Sequence, residues 1–131
     1  MLDVLEKEAL YYMNNRFIGE NDYFYKYVRM RVLQCELLKR IYNDIVRITM
    51  IPAQAKPLAM FLKEISREFH EVNNGEALMV KHKELEVYYK QEALPANRDE
   101  FENRAVLYHI MEDLGELIKI KYEFVKGQSI F

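Results

Sequence analysis

The chain has 131 residues, of which 50% are hydrophobic and 31% are charged, and its formal net charge is −2. That length suits one domain with a buried core, and the near-neutral charge argues against nucleic acid as a partner. The single cysteine, Cys35, argues against both a disulfide framework and a zinc site. No apolar run reaches the length of a membrane span, so residues 1–131 are expected to form one domain that is soluble by itself.

Apolar residues recur at intervals of three and four, glycine and proline are scarce, and strand-like alternation is missing, which predicts an all-α fold. Five helices are predicted in chain order, over about 2–13, 22–49, 57–72, 76–91 and 97–127. Residues 14–15 and 19–21 are expected to form the first loop, with Asn21 or Asp22 capping the second helix. The expected architecture is an antiparallel helical bundle of four main helices plus a short N-terminal helix.

The breaks between the later helices come from proline, asparagine and glycine. Ile51-Pro52 interrupts the chain, and Pro57 is expected to begin the third helix after a looser turn, because proline fits poorly in a helix interior. The Asn73-Asn74-Gly75 sequence is expected to end that helix and to cap the fourth. These short connections predict that consecutive helices are antiparallel neighbours, with the long second and fifth helices as the central pair.

The fifth helix has the clearest start. Pro95 favours an extended Leu94, Asn97 suits the N-cap, and Glu100 can reach back to the Asn97 amide to form a capping box. Gly115 lies in the middle of this helix, where glycine costs about 1 kcal/mol relative to alanine. We therefore expect a neighbouring helix to approach closely at Gly115. The apolar face of this helix is too wide for one neighbour, and exposed apolar surface favours a homodimer.

Three stretches carry a resemblance to a known family. The first begins with Asp22-Tyr23-Phe24-Tyr25-Lys26-Tyr27 and the second with Phe69-His70-Glu71-Val72. The third is the most specific, and it runs from Leu94-Pro95 through Phe101-Glu102-Asn103-Arg104-Ala105. From about Asp22 onward the chain resembles the cytoplasmic C-terminal domain of the bacterial putative aromatic acid exporter family. The resemblance implies a longer protein, in which an N-terminal membrane domain of several spans precedes this domain at the cytoplasmic face of the cell membrane.

The resemblance implies a non-enzymatic accessory or regulatory domain that senses the exported substrate or mediates oligomerisation. A free-standing helical interaction module with no connection to a membrane is the alternative. The hydroxyl residues have no glycine elbow beside them, and there is no phosphate loop or dinucleotide fingerprint. We therefore expect neither catalytic residues nor a cofactor.

No metal site is expected either. The residues three positions before His70, His82 and His109 are Arg67, Met79 and Val106, whereas di-iron bundles need a glutamate there. His109 and Glu112 have that spacing in reverse order, which is a weak signal. We expect His82 and His109 to lie at the edge of the core, each with a hydrogen-bonded ring nitrogen.

Polar residues beside the apolar stripes give one ligand hypothesis. Tyr27, Arg31 and Gln34 share a face of the second helix, and Arg104 precedes Tyr108 by one turn of the fifth. If the two helices face each other, these five side chains would converge on a small aromatic carboxylate, clamped by a guanidinium and stacked on tyrosine. The alternative is that each arginine pairs with a carboxylate such as Glu36, Glu68 or Glu102 and only orders the bundle.

Overall fold

The computed structural model describes residues 3–8, 19–68 and 75–127, and within these ranges it contains helices and connecting turns but no strand. The helices are α1 (3–8), α2 (Gly19–Ile45), α3 (Ala55–Glu68), α4 (Glu76–Gln91) and α5 (Arg98–Val125). The helices pack against one another, which confirms the predicted all-α bundle of four main helices with a short N-terminal helix. α1 is tied to α2 by an ion pair between Glu6 Oε1 and Arg29 Nη1 at 3.0 Å.

α5 is the central helix, because it packs against α2, α3 and α4. Its buried apolar side chains are Leu107, Ile110, Met111, Leu114, Leu117 and Ile118. The other helices contribute Leu37, Ile41, Leu58, Phe61, Ile65, Leu78 and Leu85 to the same core. α2 runs antiparallel to α5, since Arg40 pairs with Asp113 while the Tyr23 and Phe124 rings are 5.6 Å apart further along. The predicted central pair is therefore confirmed.

The prediction that all consecutive helices are neighbours is wrong for α2 and α3, which do not pack on each other within the described ranges. The connection between them is bound to α5 instead. Buried Asn103 accepts hydrogen bonds through Oδ1 from the amides of Thr49 (2.8 Å) and Met50 (3.4 Å), and its Nδ2 donates to the Asp99 carbonyl. Because α5 takes up these amides, α2 ends at Ile45 rather than at Thr49.

Two predicted helix starts also need correction. α2 begins at Gly19, so residues 19–21 are helical, and Asp22 lies within the first turns, where it pairs with Lys26 at 3.3 Å instead of capping. α3 begins at Ala55, which places Pro57 third in the helix, where no amide is required for hydrogen bonding. The limits of α4 agree with the prediction. The predictions for residues 9–18 and 69–74 lie outside the described residues.

The predicted start of α5 is confirmed, with one change in the capping box. Asn97 Oδ1 accepts from the Glu100 amide at 2.8 Å, as an N-cap should. Glu100 Oε2 accepts from the Ala96 amide at 2.7 Å, one residue before the expected partner. The carboxylate of Glu100 therefore fixes the α4–α5 loop as well as the helix end.

The close approach predicted at Gly115 is confirmed, and α4 is the helix that approaches. A Cβ atom at Gly115 would lie 2.5 Å from Cε1 and Nε2 of His82. The His82 ring bridges to α5 because its Nε2 is 2.8 Å from the Met111 carbonyl oxygen, while its Nδ1 is 3.2 Å from Glu86 Oε1. Glycine leaves the space in which this ring lies.

Candidate functional site

The five predicted ligand residues lie in two groups at opposite ends of the α2–α5 pair. Tyr27, Arg31 and Gln34 precede Arg40 on α2, whereas Arg104 and Tyr108 precede its partner Asp113 on α5. Because the helices are antiparallel, the distances from Arg31 to Arg40 and from Asp113 to Arg104 add up to roughly 27 Å at 1.5 Å per residue. The structure therefore does not bring the five residues together in one site.

The α2 group is an intrahelical pair beside an aromatic cluster. Exposed Arg31 donates through Nη1 to Oε1 of buried Gln34 at 3.3 Å. The Tyr27 ring lies 6.0 Å from the Phe124 ring, centroid to centroid, in an edge-on arrangement. Tyr27 therefore contacts the C-terminal end of α5, far from Arg104.

Arg104 and Tyr108 border a small pocket where the start of α5 meets the end of α4. Its volume is about 200 Å³, and its lining residues are Gln54, Tyr89, Pro95, Phe101, Arg104, Ala105 and Tyr108. We refer to it as the Arg104 pocket. The rings of Tyr89 and Tyr108 lie 6.3 Å apart between centroids, tilted by 38°. A guanidinium, two phenol rings and a phenylalanine thus surround one cavity.

The guanidinium of Arg104 is held mainly by neutral oxygens. Its Nη1 donates to the Ala93 carbonyl at 2.7 Å, and Gln54 Oε1, in the amide orientation that satisfies its neighbours, accepts from Nε at 3.1 Å and Nη2 at 3.2 Å. Within the described residues, its carboxylate contact is Glu100 Oε1 at 3.7 Å, beyond hydrogen-bond length. Glu102, one of the partners considered above, pairs with Arg98 at 2.8 Å.

Tyr89 gives the pocket a fixed wall. Its hydroxyl donates to the Gln54 carbonyl at 3.0 Å, which links α4 to the turn before α3. Burial, with a smaller contribution from Tyr88, raises the pKa of Tyr89 above its usual value. The phenol therefore stays protonated at neutral pH and keeps donating this hydrogen bond.

A second polar cluster, which was not predicted from the sequence, joins α2 to α5. His109 Nδ1 lies 2.5 Å from Asp44 Oδ2 and 3.9 Å from Asp113 Oδ2. Arg40 pairs with Asp113, and Arg47 Nη1 is 3.5 Å from Asp44 Oδ1. The hydrogen bond and the charge of Asp113 raise the pKa of Arg40. The available signal was the four-residue spacing of His109 and Asp113, which puts both on one helix face.

A larger groove of about 680 Å³ runs between α4 and α5. It is lined by Glu76, Met79, Val80, Lys83, Glu84, Val87 and Tyr122. Its cation, Lys83, shares the lining with two glutamates, so this groove attracts an anion less than the Arg104 pocket does. For a carboxylate ligand the Arg104 pocket is the better candidate.

Comparison with known proteins connects this geometry to a family. Residues 1–122 match the family described as putative aromatic acid exporter C-terminal domain. The chain belongs to this family. The resemblance found in the sequence is thereby confirmed.

Two relatives extend the comparison. The exporter-family domain is 26% identical over 119 residues to the uncharacterized protein YqjA of Bacillus subtilis (strain 168), covering 89% of this chain but 37% of YqjA. It is also similar to a crystal structure of a putative membrane protein from Clostridium difficile 630, with a TM-score of 0.82 and 25% identity. That match covers 95% of this chain and 73% of the other. In the described part of the exporter-family domain, no helix is both long enough and apolar enough to span a bilayer.

Proposed function

We propose that the chain is a non-enzymatic accessory domain at the cytoplasmic face of a membrane exporter, and that it senses a small aromatic carboxylate in the Arg104 pocket. Family membership supports the accessory role, with the exporter's own membrane domain as partner. The observation that carries the sensing role is the guanidinium of Arg104, which borders a pocket between two tyrosine rings and has neutral oxygens as its close partners.

The pocket's dimensions and chemistry select the ligand class. Pockets for drug-sized ligands measure roughly 300–1,000 Å³, so a cavity of about 200 Å³ suits a molecule of about one ring. A carboxylate makes stronger, charge-assisted hydrogen bonds to a guanidinium than a carbonyl does. The ring of the ligand would pack against Tyr108 and Phe101.

The same contacts suggest how binding is reported. Arg104 now holds the Ala93 carbonyl, which belongs to the loop between α4 and α5. A ligand carboxylate competes with this carbonyl for the same Nη1 atom. Binding would therefore release the α4–α5 loop, and this change in a loop is a signal that a neighbouring membrane domain can detect.

Titration calorimetry of the domain with 4-hydroxybenzoate tests the proposal. We expect heat of binding in the unmodified chain and at least about tenfold weaker binding in Arg104→Met, because a hydrogen-bonded charge contributes roughly 1.5–3 kcal/mol. Arg98→Met is the matched control, since Arg98 lies on the same helix with an 89% exposed side chain. Equal affinity in the Arg104→Met and Arg98→Met variants, or no heat with the unmodified chain, would refute the sensing role.

Oligomerisation is the second candidate role, and the outer face of α2 favours it. Three of its large apolar side chains are exposed there, namely Leu38, Tyr42 and Ile45. They recur at helical spacing on the side away from the core, and a twofold axis would place this face against its own copy. We propose a homodimer formed through this surface, which we call the outer face of α2.

A further inference from the structure

We propose that Asp44, His109 and Asp113 form a binding site for a divalent transition-metal ion, with Zn²⁺ as the best match. One ligand atom from each residue lies within 4.8 Å of the other two. The site uses different residues from the Arg104 pocket, so its test has no bearing on the sensing role.

Burial of the two carboxylates is the first argument. Asp44 is 7% exposed and Asp113 is 3% exposed, so both have lost most of their water. Arg40 and Arg47 each pair with one carboxylate from the outside, while the two Oδ2 atoms still face one common point, where a cation would be favourable. The structure places a ring nitrogen of His109 at this point, and a neutral imidazole nitrogen is a good ligand for Zn²⁺.

The orientation of the carboxylates is the second argument. Asp44 Oδ1 contacts Arg47, Asp113 Oδ1 contacts Arg40, and both Oδ2 atoms turn towards His109 Nδ1. Hydrogen-bonding partners on the outer oxygens are the usual support for metal-binding carboxylates. Arg40 Nε also lies 3.3 Å from Asp113 Oδ2, and a bound ion would weaken this one contact.

The distances and the open side fit a tetrahedral ion. Zinc bonds of 2.0–2.2 Å place tetrahedral ligand atoms about 3.4 Å apart. The separations of 2.5 Å and 3.9 Å from His109 Nδ1 lie on either side of that value. Rotation of the ring, whose side chain is 53% exposed, can change both. The cluster opens into a cavity of about 520 Å³, which leaves room for water as a fourth ligand.

Zinc titration of the chelator-treated domain tests the site, with calorimetry and thermal unfolding as readouts. We expect one ion per chain and a rise in Tm of about 5 °C or more at saturating zinc, because the ion binds only the folded state. His109→Gln should weaken binding at least about tenfold and abolish the Tm rise. His82→Gln is the matched control, since it removes a histidine that binds the Met111 carbonyl outside the cluster, and it should keep both effects.

A second variant and a second ion separate metal binding from loss of structure. Asp44→Asn should also lose the site, and Co²⁺ in the unmodified chain should show the visible absorption of a four-coordinate ion that is missing from the His109→Gln variant. The proposal would be overturned if zinc did not bind with a stoichiometry of one ion per chain. It would also be overturned if a folded His109→Gln variant kept the zinc affinity and the Co²⁺ spectrum of the unmodified chain. Either result would make the cluster an ion-pair network between α2 and α5.

Discussion

Polar side chains in or beside the core of this bundle fix the chain where apolar packing leaves a choice. Asn103 binds two amides of the α2–α3 connection, and His82 bridges α4 to a carbonyl of α5. Sequence alone predicted that a neighbouring helix approaches closely at Gly115, because glycine carries a cost in an otherwise regular helix, but it did not identify His82 as the residue that makes the contact. It gave no sign of the first contact, because an asparagine near a helix start has many possible partners and the right one is about fifty residues away in the chain.

Replacement of Gly115 by alanine tests the contact with His82. Alanine alone favours the helix by about 1 kcal/mol, but its Cβ would lie 2.5 Å from the His82 ring and push it off the Met111 carbonyl. We therefore expect Gly115→Ala to destabilise the domain by about 1–2 kcal/mol in urea unfolding, as is typical of overpacking. In a His82→Ala background the same change should stabilise it. A stabilising effect in both backgrounds would contradict the contact.

The alkaline limit of stability tests the partly buried phenol of Tyr89. Its pKa is raised in the folded state, so the folded chain holds this proton more tightly than the unfolded chain, where tyrosine titrates near pH 10. The stabilisation is complete below about pH 10, and it is lost as the pH rises towards the raised pKa that Tyr89 has in the folded state. Between pH 8 and pH 10.5, Tm should fall less in Tyr89→Phe than in the unmodified chain. In the control Tyr42→Phe, which changes an exposed tyrosine, Tm should fall as much as in the unmodified chain. An equal decline of Tm in all three proteins would contradict the role given to Tyr89.

At the scale of helices, ends with a local cause were predictable and ends with a tertiary cause were not. Asn97 caps α5 with its own side chain, and the limits of α4 follow the turn residues around it. The end of α2 depends on Asn103, which belongs to another helix, so the residues of α2 alone do not predict it. The prediction that the five ligand residues converge was wrong for a similar reason. Helical spacing shows which residues share a face of one helix, but it does not show which residues of a partner helix lie opposite them.

The outer face of α2 makes a specific prediction about association. Tyr42 is 66% exposed at its centre, so Tyr42→Glu should disturb little within the monomer but place a charge in a twofold interface. We expect the unmodified domain to sediment as a dimer and Tyr42→Glu to shift it to monomer. Val87→Glu, which adds the same charge at an exposed position on α4, should remain a dimer. A monomeric unmodified domain at high concentration would contradict the proposal.

For the whole molecule, the sequence was sufficient for the family and the fold class but only in part for the candidate site. The Leu94–Ala105 stretch carried the resemblance, and the match to residues 1–122 confirms it. Arg104 and Tyr108 do border one pocket, as a one-turn spacing on a single helix allows. The pocket's other walls, Gln54 and Tyr89, come from segments distant in sequence, and Arg31 lies too far along the antiparallel pair to contribute.

The location of the ligand decides the central claim, and amide chemical shifts of the ¹⁵N-labelled domain report it directly. On titration with 4-hydroxybenzoate, we expect shifts in the α4–α5 loop around Ala93 and at Tyr89, Arg104 and Tyr108, with no change near Tyr27 and Arg31. The Arg104→Met variant should show none of these shifts, whereas Arg98→Met should show them all. Shifts centred on Arg31, or an unchanged spectrum at millimolar ligand, would contradict the assignment of the Arg104 pocket as a carboxylate sensor.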